Sequence, residues 1–261
     1  MAITTEAGLI AARASGGPAQ FIKSSMANTA AGQLFSLYRT AGTLPAQPAI
    51  PGAAAVCTNA TAGAIALPFT VSGGNSLYCD SVAMQFATAG QLRLVDRIIH
   101  HGGLNGTTLG VQSINTPALP GGVDAAKCRW FAEWYADTGA TASNATFAVT
   151  HTDATTANVV IAVGGTVRAG RKIELVSPVG KPIASIQQLT SLSASTGTAG
   201  NFGVTCQQLT GVRIGVLAAV ANEYESLMRV MPRADACLAA EILCTTTNSG
   251  NLEGDFFLMQ G

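Results

Sequence analysis

Residues 127–150 read KCRWFAEWYADTGATASNATFAVT, a stretch that contains both tryptophans of the chain. Side chains alternate between the two faces of an extended strand, so Trp130 and Trp134 lie on one face with two alanines. The opposite face carries Arg129, Phe131, Glu133 and Tyr135. A turn-forming segment, 137–144, follows before the alternation resumes. The pattern predicts a long β-hairpin in an antiparallel sheet, with Trp130 and Trp134 as its core anchors.

Similar alternation on both sides of this stretch predicts the fold class. Residues 77–86 and 91–101 are predicted as a second hairpin, and 237–245 and 252–261 as a third. Further strands are predicted at 158–167, 172–178, 204–220 and 222–231, with 182–195 as either a strand or a short helix. Many strands, frequent turn signals and little helix indicate an all-β fold. We predict an antiparallel β-sandwich, jelly-roll-like, without internal repeats.

The N-terminal segment lacks clear strand alternation. Residues 1–20 are predicted to form an extended arm, because Gly16, Gly17 and Pro18 would stop a helix that began at Thr5. Apolar residues at helical spacing then predict one short amphipathic helix over Ser24–Thr40. Three prolines, Pro45, Pro48 and Pro51, favour an extended strap. The predicted organisation is an arm and helix in residues 1–45 and a sandwich domain in residues 46–261.

Charge is the most unusual feature of the composition. The chain has 14 basic and 14 acidic residues, and 11% of its residues are charged, against about 25% in a typical soluble protein. A net charge of zero disfavours binding to nucleic acid or to an anionic membrane. Charges are absent from residues 40–79, 98–123, 154–167 and 182–212. Either the chain favours alanine, glycine and threonine throughout, or other subunits cover much of its surface, since interface cores are depleted of charge.

No stretch approaches the roughly 20 apolar residues that span a bilayer. Residues 1–20 also lack the basic start and apolar block of a secretory signal, so we expect synthesis in a cytoplasm. The six cysteines contain no CxxC pair. In a reducing compartment they are expected to be buried hydrophobic side chains rather than disulfides or metal ligands.

No catalytic or cofactor-binding motif is present in the sequence. Because triads are defined by geometry rather than by order along the chain, His100, His101 and His151 remain the candidates for a Ser–His–Asp arrangement. His100 and His101 are adjacent and face opposite sides of a strand, which prevents them from chelating one metal together. We therefore predict a protein without enzymatic activity, cofactor or metal site.

The polar segment 102–123 is long for a loop within a compact domain, and long loops often carry function. Subunit contact is one such function, and the predicted N-terminal arm and helix are the other segments suited to it. The candidate subunit contacts are Phe21, Ile22, Met26, Leu34, Phe35, Tyr38, Leu104 and Asn105.

Over most of its length beyond about residue 34 the chain resembles structural proteins of tailed bacteriophages. The segments that carry the resemblance are LFSLYRTAG (34–42), the proline strap, DRIIHHGGLNGT (96–107), INTPALP (114–120), the 127–150 stretch, ADACLAAEIL (234–243) and LEGDFFLMQG (252–261). The resemblance is to small all-β virion proteins that decorate or cement a capsid shell.

This resemblance implies a non-enzymatic protein on the capsid surface, made in the host cytoplasm. Its implied partners are further copies of itself, as a homotrimer, and the major capsid protein. Nucleic acid and membrane are not expected as partners. One alternative is a tail, baseplate or fibre component with a receptor- or glycan-binding role. A soluble hydrolase built on a β-sandwich is the other.

Overall fold

The computed structural model describes residues 3–73, 75–87, 89–217, 220–231, 233–245 and 248–261. Within these ranges it contains one α-helix, α1 (Glu6–Ser15), and two 3-10 helices, at Leu37–Arg39 and Ala125–Lys127. The strands are β1 Gly17–Thr29, β2 Leu34–Ser36, β3 Ala41–Leu44, β4 Ala55–Val56, β5 Leu77–Phe86, β6 Gly90–His100, β7 Gln112–Ser113, β8 Cys128–Ala136, β9 Ala142–His151, β10 Thr156–Gly164, β11 Arg171–Glu174, β12 Ile183–Leu192, β13 Asn201–Val216, β14 Ala221–Met231, β15 Leu238–Cys244 and β16 Asn248–Gln260.

The chain divides into two compact units. Unit 1 comprises Met1–Pro48, Thr58–Asp96 and Leu209–Gly261, and unit 2 comprises Ala49–Cys57 and Arg97–Gln208. This division differs from the predicted one, which separated residues 1–45 from a single sandwich. The first 48 residues belong to the same unit as the end of the chain, because β1 pairs with β16 along most of its length.

Unit 1 is a sandwich of antiparallel strands. One sheet has the order β14-β5-β16-β1-β3, and a second group consists of β2 and β6 on either side of β15. The inward side chains of both groups form one apolar cluster, in which Phe21, Phe86 and Phe256 meet residues such as Leu94 and Ile242. The alternate residues of each strand therefore fill a shared core.

Unit 2 repeats this arrangement around the tryptophans. A four-stranded sheet has the order β10-β9-β12-β7, and β13 and β11 flank β8. Trp130 and Trp134 are 2% and 0% exposed and pack in one cluster with Phe147 and Leu189 of the four-stranded sheet. Trp130 Nε1 donates to Ile183 O at 2.9 Å. These antiparallel layers confirm the predicted fold class, an all-β sandwich.

The three predicted hairpins are wrong, although their strands exist. β8 pairs with β11 and β13, whereas β9 pairs with β10 and β12. Likewise β5 pairs with β14 and β16 while β6 pairs with β15, and β15 and β16 belong to different sheets. Alternation reports which side of a strand is buried but does not identify its neighbour. In each case the two strands belong to different sheets.

The helix lies at a different place from the predicted one. Thr5 Oγ1 accepts a hydrogen bond from the Gly8 N–H at 3.1 Å, so the helix begins where a threonine can cap it and ends before Gly16. The arm predicted for residues 1–20 is therefore wrong.

The predicted helix over residues 24–40 is also wrong, because that segment holds the end of β1, β2 and one 3-10 turn. Ala19, Phe21 and Lys23 are buried at alternate positions of β1. Strand alternation was therefore present in the sequence, but the lysine in an inward position obscured it.

A candidate assembly surface

The outer face of the four-stranded sheet in unit 2 carries a grid of small side chains without charge. The inward residues of its strands, among them Phe147, Val149 and Leu189, are buried in the core. The outward residues form cross-strand rows given by the pairing register: Thr156, Thr150 and Ser185; Asn158, Ala148, Gln188 and Ser113; Val160, Thr146 and Ser191; and Ala162 with Asn144. All of them are partly or fully exposed. We call this grid the neutral face.

The neutral face contains no charged side chain, and many of the charged side chains elsewhere in unit 2 pair with each other. The pairs are Arg168 with Asp137, Lys181 with Asp153, Lys127 with Asp124, and Arg129 with Glu174. Hydrogen bonds from Lys181 and Thr155 lower the pKa of Asp153. Burial raises the pKa of Asp137, but hydrogen bonds from the Ala169 N–H and from Arg168 outweigh that effect and lower it. A partner on the neutral face would therefore desolvate no charge of the grid.

Most of the predicted subunit contacts do not reach the surface. Phe21, Met26, Phe35, Tyr38 and Leu104 are buried, and Ile22, Leu34 and Asn105 are partly exposed. The first four were assigned to an arm and a helix, but they occupy inward positions of strands or of the turn at 37–39. Tyr38 also donates its hydroxyl to Ala62 O at 2.6 Å. These five side chains are unsuited to subunit contact because they support their own fold.

The face of β8 opposite the indoles contains a buried ionic cluster that the sequence analysis did not predict. Arg97 Nη1 donates to Glu133 Oε1 at 3.0 Å, and Thr205 Oγ1 donates to Glu133 Oε2 at 2.6 Å. Both charged side chains are buried. Burial alone lowers the pKa of Arg97, but the Glu133 charge outweighs it and raises that pKa. The alternation in the sequence placed Glu133 on a face of β8 with both charged and aromatic residues. Only the folded structure shows that Glu133 on this face is also buried.

His151 comes closest to a catalytic arrangement. Its Nε2 lies 2.9 Å from Ser177 Oγ and its Nδ1 lies 3.1 Å from Thr155 Oγ1, which in turn donates to Asp153. Thr155 thus occupies the place where a triad would have the carboxylate. Ser177 Oγ also accepts the Val179 N–H at 3.3 Å. The cluster joins the loop after β11 to the β9–β10 turn.

The histidine, cysteine and acidic side chains of the described residues form no metal site. No group of three or more His, Cys, Asp or Glu side chains is arranged to hold a metal within the ranges that the structure describes. Burial, together with the neighbouring His100, lowers the pKa of His101. All six cysteines are thiols, and five of them are buried. Burial, followed by the charge of Asp80, raises the pKa of Cys79 to about 12.

The helices of the structure bear on whether a helix of this chain could cross a membrane. Among the described residues no helix has both the length and the apolar character needed to cross a bilayer.

Comparison with known proteins adds little. No protein-family model and no curated protein matches the chain. Among solved structures it is similar to the VP2 subviral particle of infectious bursal disease virus, at 13% identity, with 93% of this chain and 80% of that chain covered and a TM-score of 0.19. The Gx strain of the same virus gives 12% identity, the same coverage and a TM-score of 0.18. Similarities at TM-scores this low carry no weight for the function of the chain.

Proposed function

We propose that the chain is a non-enzymatic virion structural protein that decorates or cements a phage capsid shell. The observation that carries the proposal is the neutral face, an ordered and exposed sheet surface without a charged side chain. The resemblance of the sequence to phage decoration proteins supports the same function. The proposed partners are the major capsid protein and further copies of the chain, in a homotrimer on the capsid surface.

The physical case depends on desolvation. Removing an unpaired charge from water costs several kcal/mol, so stable interfaces exclude charges from their centres. The neutral face presents threonine, serine, asparagine, alanine and glutamine side chains on paired strands, with Val160 59% exposed at one side. Such a surface offers hydrogen-bonding groups and apolar area with little conformational entropy to lose, because the sheet backbone beneath is already ordered.

A charge introduced at the centre of the neutral face tests the proposal. Ala148 lies on β9, between β10 and β12, so Ala148→Lys places an ammonium group in the middle of the grid. We expect its affinity for capsid shells, assembled from the major capsid protein encoded in the same genome, to fall at least about tenfold, since each 1.4 kcal/mol is a factor of about ten. Co-sedimentation with the shells measures the affinity.

The matched control is Ile10→Lys, which adds the same charge at a 62% exposed position of α1 in unit 1. It should bind shells as the wild type does, and both variants should keep the wild-type melting temperature. Unchanged shell binding by Ala148→Lys would contradict the assignment of the neutral face. Recovery of the native protein only in tail fractions would contradict the decoration function itself and favour the tail or fibre alternative.

A further inference from the structure

Strand β10 is an end strand of its sheet, and its outer edge is open. β9 is its neighbour on one side, and no strand pairs with its other side in the part of the chain that the structure describes. The strand is nine residues long and pairs with β9 without a register shift. Its sequence, TANVVIAVG, contains neither a charge nor a proline.

The backbone groups that face the open edge can be identified from the ladder. At its two ends His151 N–H donates to Thr155 O at 2.8 Å and Gly165 N–H donates to Thr141 O at 3.1 Å. Hydrogen-bonded and non-hydrogen-bonded pairs alternate in an antiparallel ladder, so the odd-numbered residues of β10 bond to β9. The even-numbered residues direct their N–H and C=O groups outward. They are Thr156, Asn158, Val160 and Ala162.

The other edge of this four-stranded sheet and both edges of the five-stranded sheet carry features that discourage pairing. β7 has only two residues, and β3 has four, with register shifts against β1. β14 has register shifts and the exposed acidic residues Glu223 and Glu225. Short strands, irregular pairing and charge are the usual protections of a sheet edge. β10 has none of them, which distinguishes it from β7, β3 and β14.

We infer that β10 pairs edge to edge with β10 of a second copy of this chain, in an antiparallel arrangement about a two-fold axis. Val160 is the midpoint of the strand, so the register with the fullest overlap places Val160 opposite Val160 of the other copy. Asn158 then lies opposite Ala162. The backbone N–H and C=O of Val160 point to the open edge. In this register they can therefore form hydrogen bonds with the second copy, because β9 does not use them.

Self-pairing fits β10 better than pairing with another protein because of its lack of charge. A two-fold contact is self-complementary and brings identical or near-identical segments together. Any lysine or glutamate near the midpoint would meet its own copy and repel it. No charged residue occurs between Ala154 and Val167. The contact does not require a capsid shell, so it goes beyond the proposed function and can be tested apart from it.

Disulfide trapping tests both the contact and its register. Opposed residues in a hydrogen-bonded pair have Cα atoms about 5.5 Å apart, within the range of a disulfide. Val160→Cys should therefore form a covalent dimer rapidly under mild oxidation. Ala162→Cys is the matched control, because its counterpart in the other copy lies four residues along the strand, roughly 13 Å away. Both are made on a Cys128→Ser background, since Cys128 is the partly exposed native cysteine.

We expect Val160→Cys to cross-link at least about tenfold faster than Ala162→Cys, and a mixture of Asn158→Cys with Ala162→Cys to form the mixed dimer. Sedimentation velocity of the wild type should show a concentration-dependent pairing, of single chains or of the proposed trimers, that Val160→Lys weakens. Equal cross-linking of the two single variants, or a wild type whose sedimentation does not change with concentration, would overturn the inference. A wild type that shows no such pairing but still binds shells would overturn the inference alone and leave the proposed function standing.

Discussion

Glu133 illustrates how a single residue depends on the completed fold. Its carboxylate is buried between Arg97 and Thr205, and neither charge of the pair is exposed to solvent. A buried pair contributes little net stability compared with apolar residues of the same shape, because desolvation offsets the attraction. Removing one partner is different, since it leaves the other charge buried without compensation.

We predict that Glu133→Gln lowers the free energy of unfolding by about 3–5 kcal/mol. The glutamine keeps the shape but leaves the Arg97 guanidinium without its counter-charge. The double variant Arg97→Met, Glu133→Leu removes both charges and should recover much of the loss. Urea denaturation of the three proteins measures the effect. If Glu133→Gln were as stable as the double variant, the Arg97 guanidinium would not be a buried charge that needs Glu133.

Lys23 gives a second prediction for a single side chain. Its Nζ donates to Pro45 O at 2.7 Å, and burial, followed by the charge of Arg39, lowers its pKa from 10.5 to about 8. Between these two pH values the unfolded chain holds a proton that the folded chain has lost. The contribution of Lys23 to the free energy of unfolding is therefore expected to rise as the pH increases from about 8 to about 10.5.

Lys23→Met should abolish this rise, which is measured as the difference between the unfolding free energies of wild type and variant at pH 7.5 and pH 10. Comparing the two proteins cancels the titration of Cys79, whose raised pKa of about 12 acts in the opposite direction. Parallel pH profiles would mean that Lys23 is not desolvated in the folded chain.

Among the secondary-structure elements, the strands could be located from the sequence but their partners could not. The alternation in residues 77–86 and 91–101 identified β5 and β6, because burial of one side leaves a direct trace in residue type. Pairing depends on which layer the next strand joins, and a turn such as 137–141 is compatible with either outcome. The neutral face was visible only as two charge-free segments, 154–167 and 182–212. Their union in one sheet required the β9–β12 pairing.

Deleting helix α1 tests whether the N-terminal residues contribute to stability or to assembly. Its Ala12 packs with Tyr78 and Met259, and Arg13 pairs with Asp80 at 2.8 Å. Deletion of residues 1–15 removes the helix and leaves β1 intact from Gly17. We expect a folded protein with a melting temperature lowered by a few degrees, consistent with about 1 kcal/mol, and unchanged shell binding. Loss of shell binding by a truncated protein that still melts cooperatively would place the assembly surface at the N-terminus.

A longer deletion gives a less informative test. Removing residues 1–20 would also take away the part of β1 that pairs Gly17 with Leu258 and Ala19 with Phe256. Ala19 and Phe256 are both buried in the core of unit 1. Loss of binding would then report unfolding of the sheet rather than loss of an arm.

In the molecule as a whole, charge is both sparse and unevenly distributed. Charged residues amount to 11% of the chain, and in unit 2 much of the charge is held in ion pairs between residues outside the neutral face. A free monomer ordinarily relies on mixed surface charge for solubility. The sparse charge and the open β10 edge are both consistent with a chain whose working state is an assembly.

A cryo-electron microscopy reconstruction of the virion, with this chain fitted into the density, would test the decoration function and the neutral face together. We expect copies on the outside of the capsid shell, with Ala148 and Gln188 of the neutral face covered by a neighbouring subunit or by the major capsid protein. Copies confined to the tail, or copies on the shell whose neutral face is open to solvent, would contradict the proposed function.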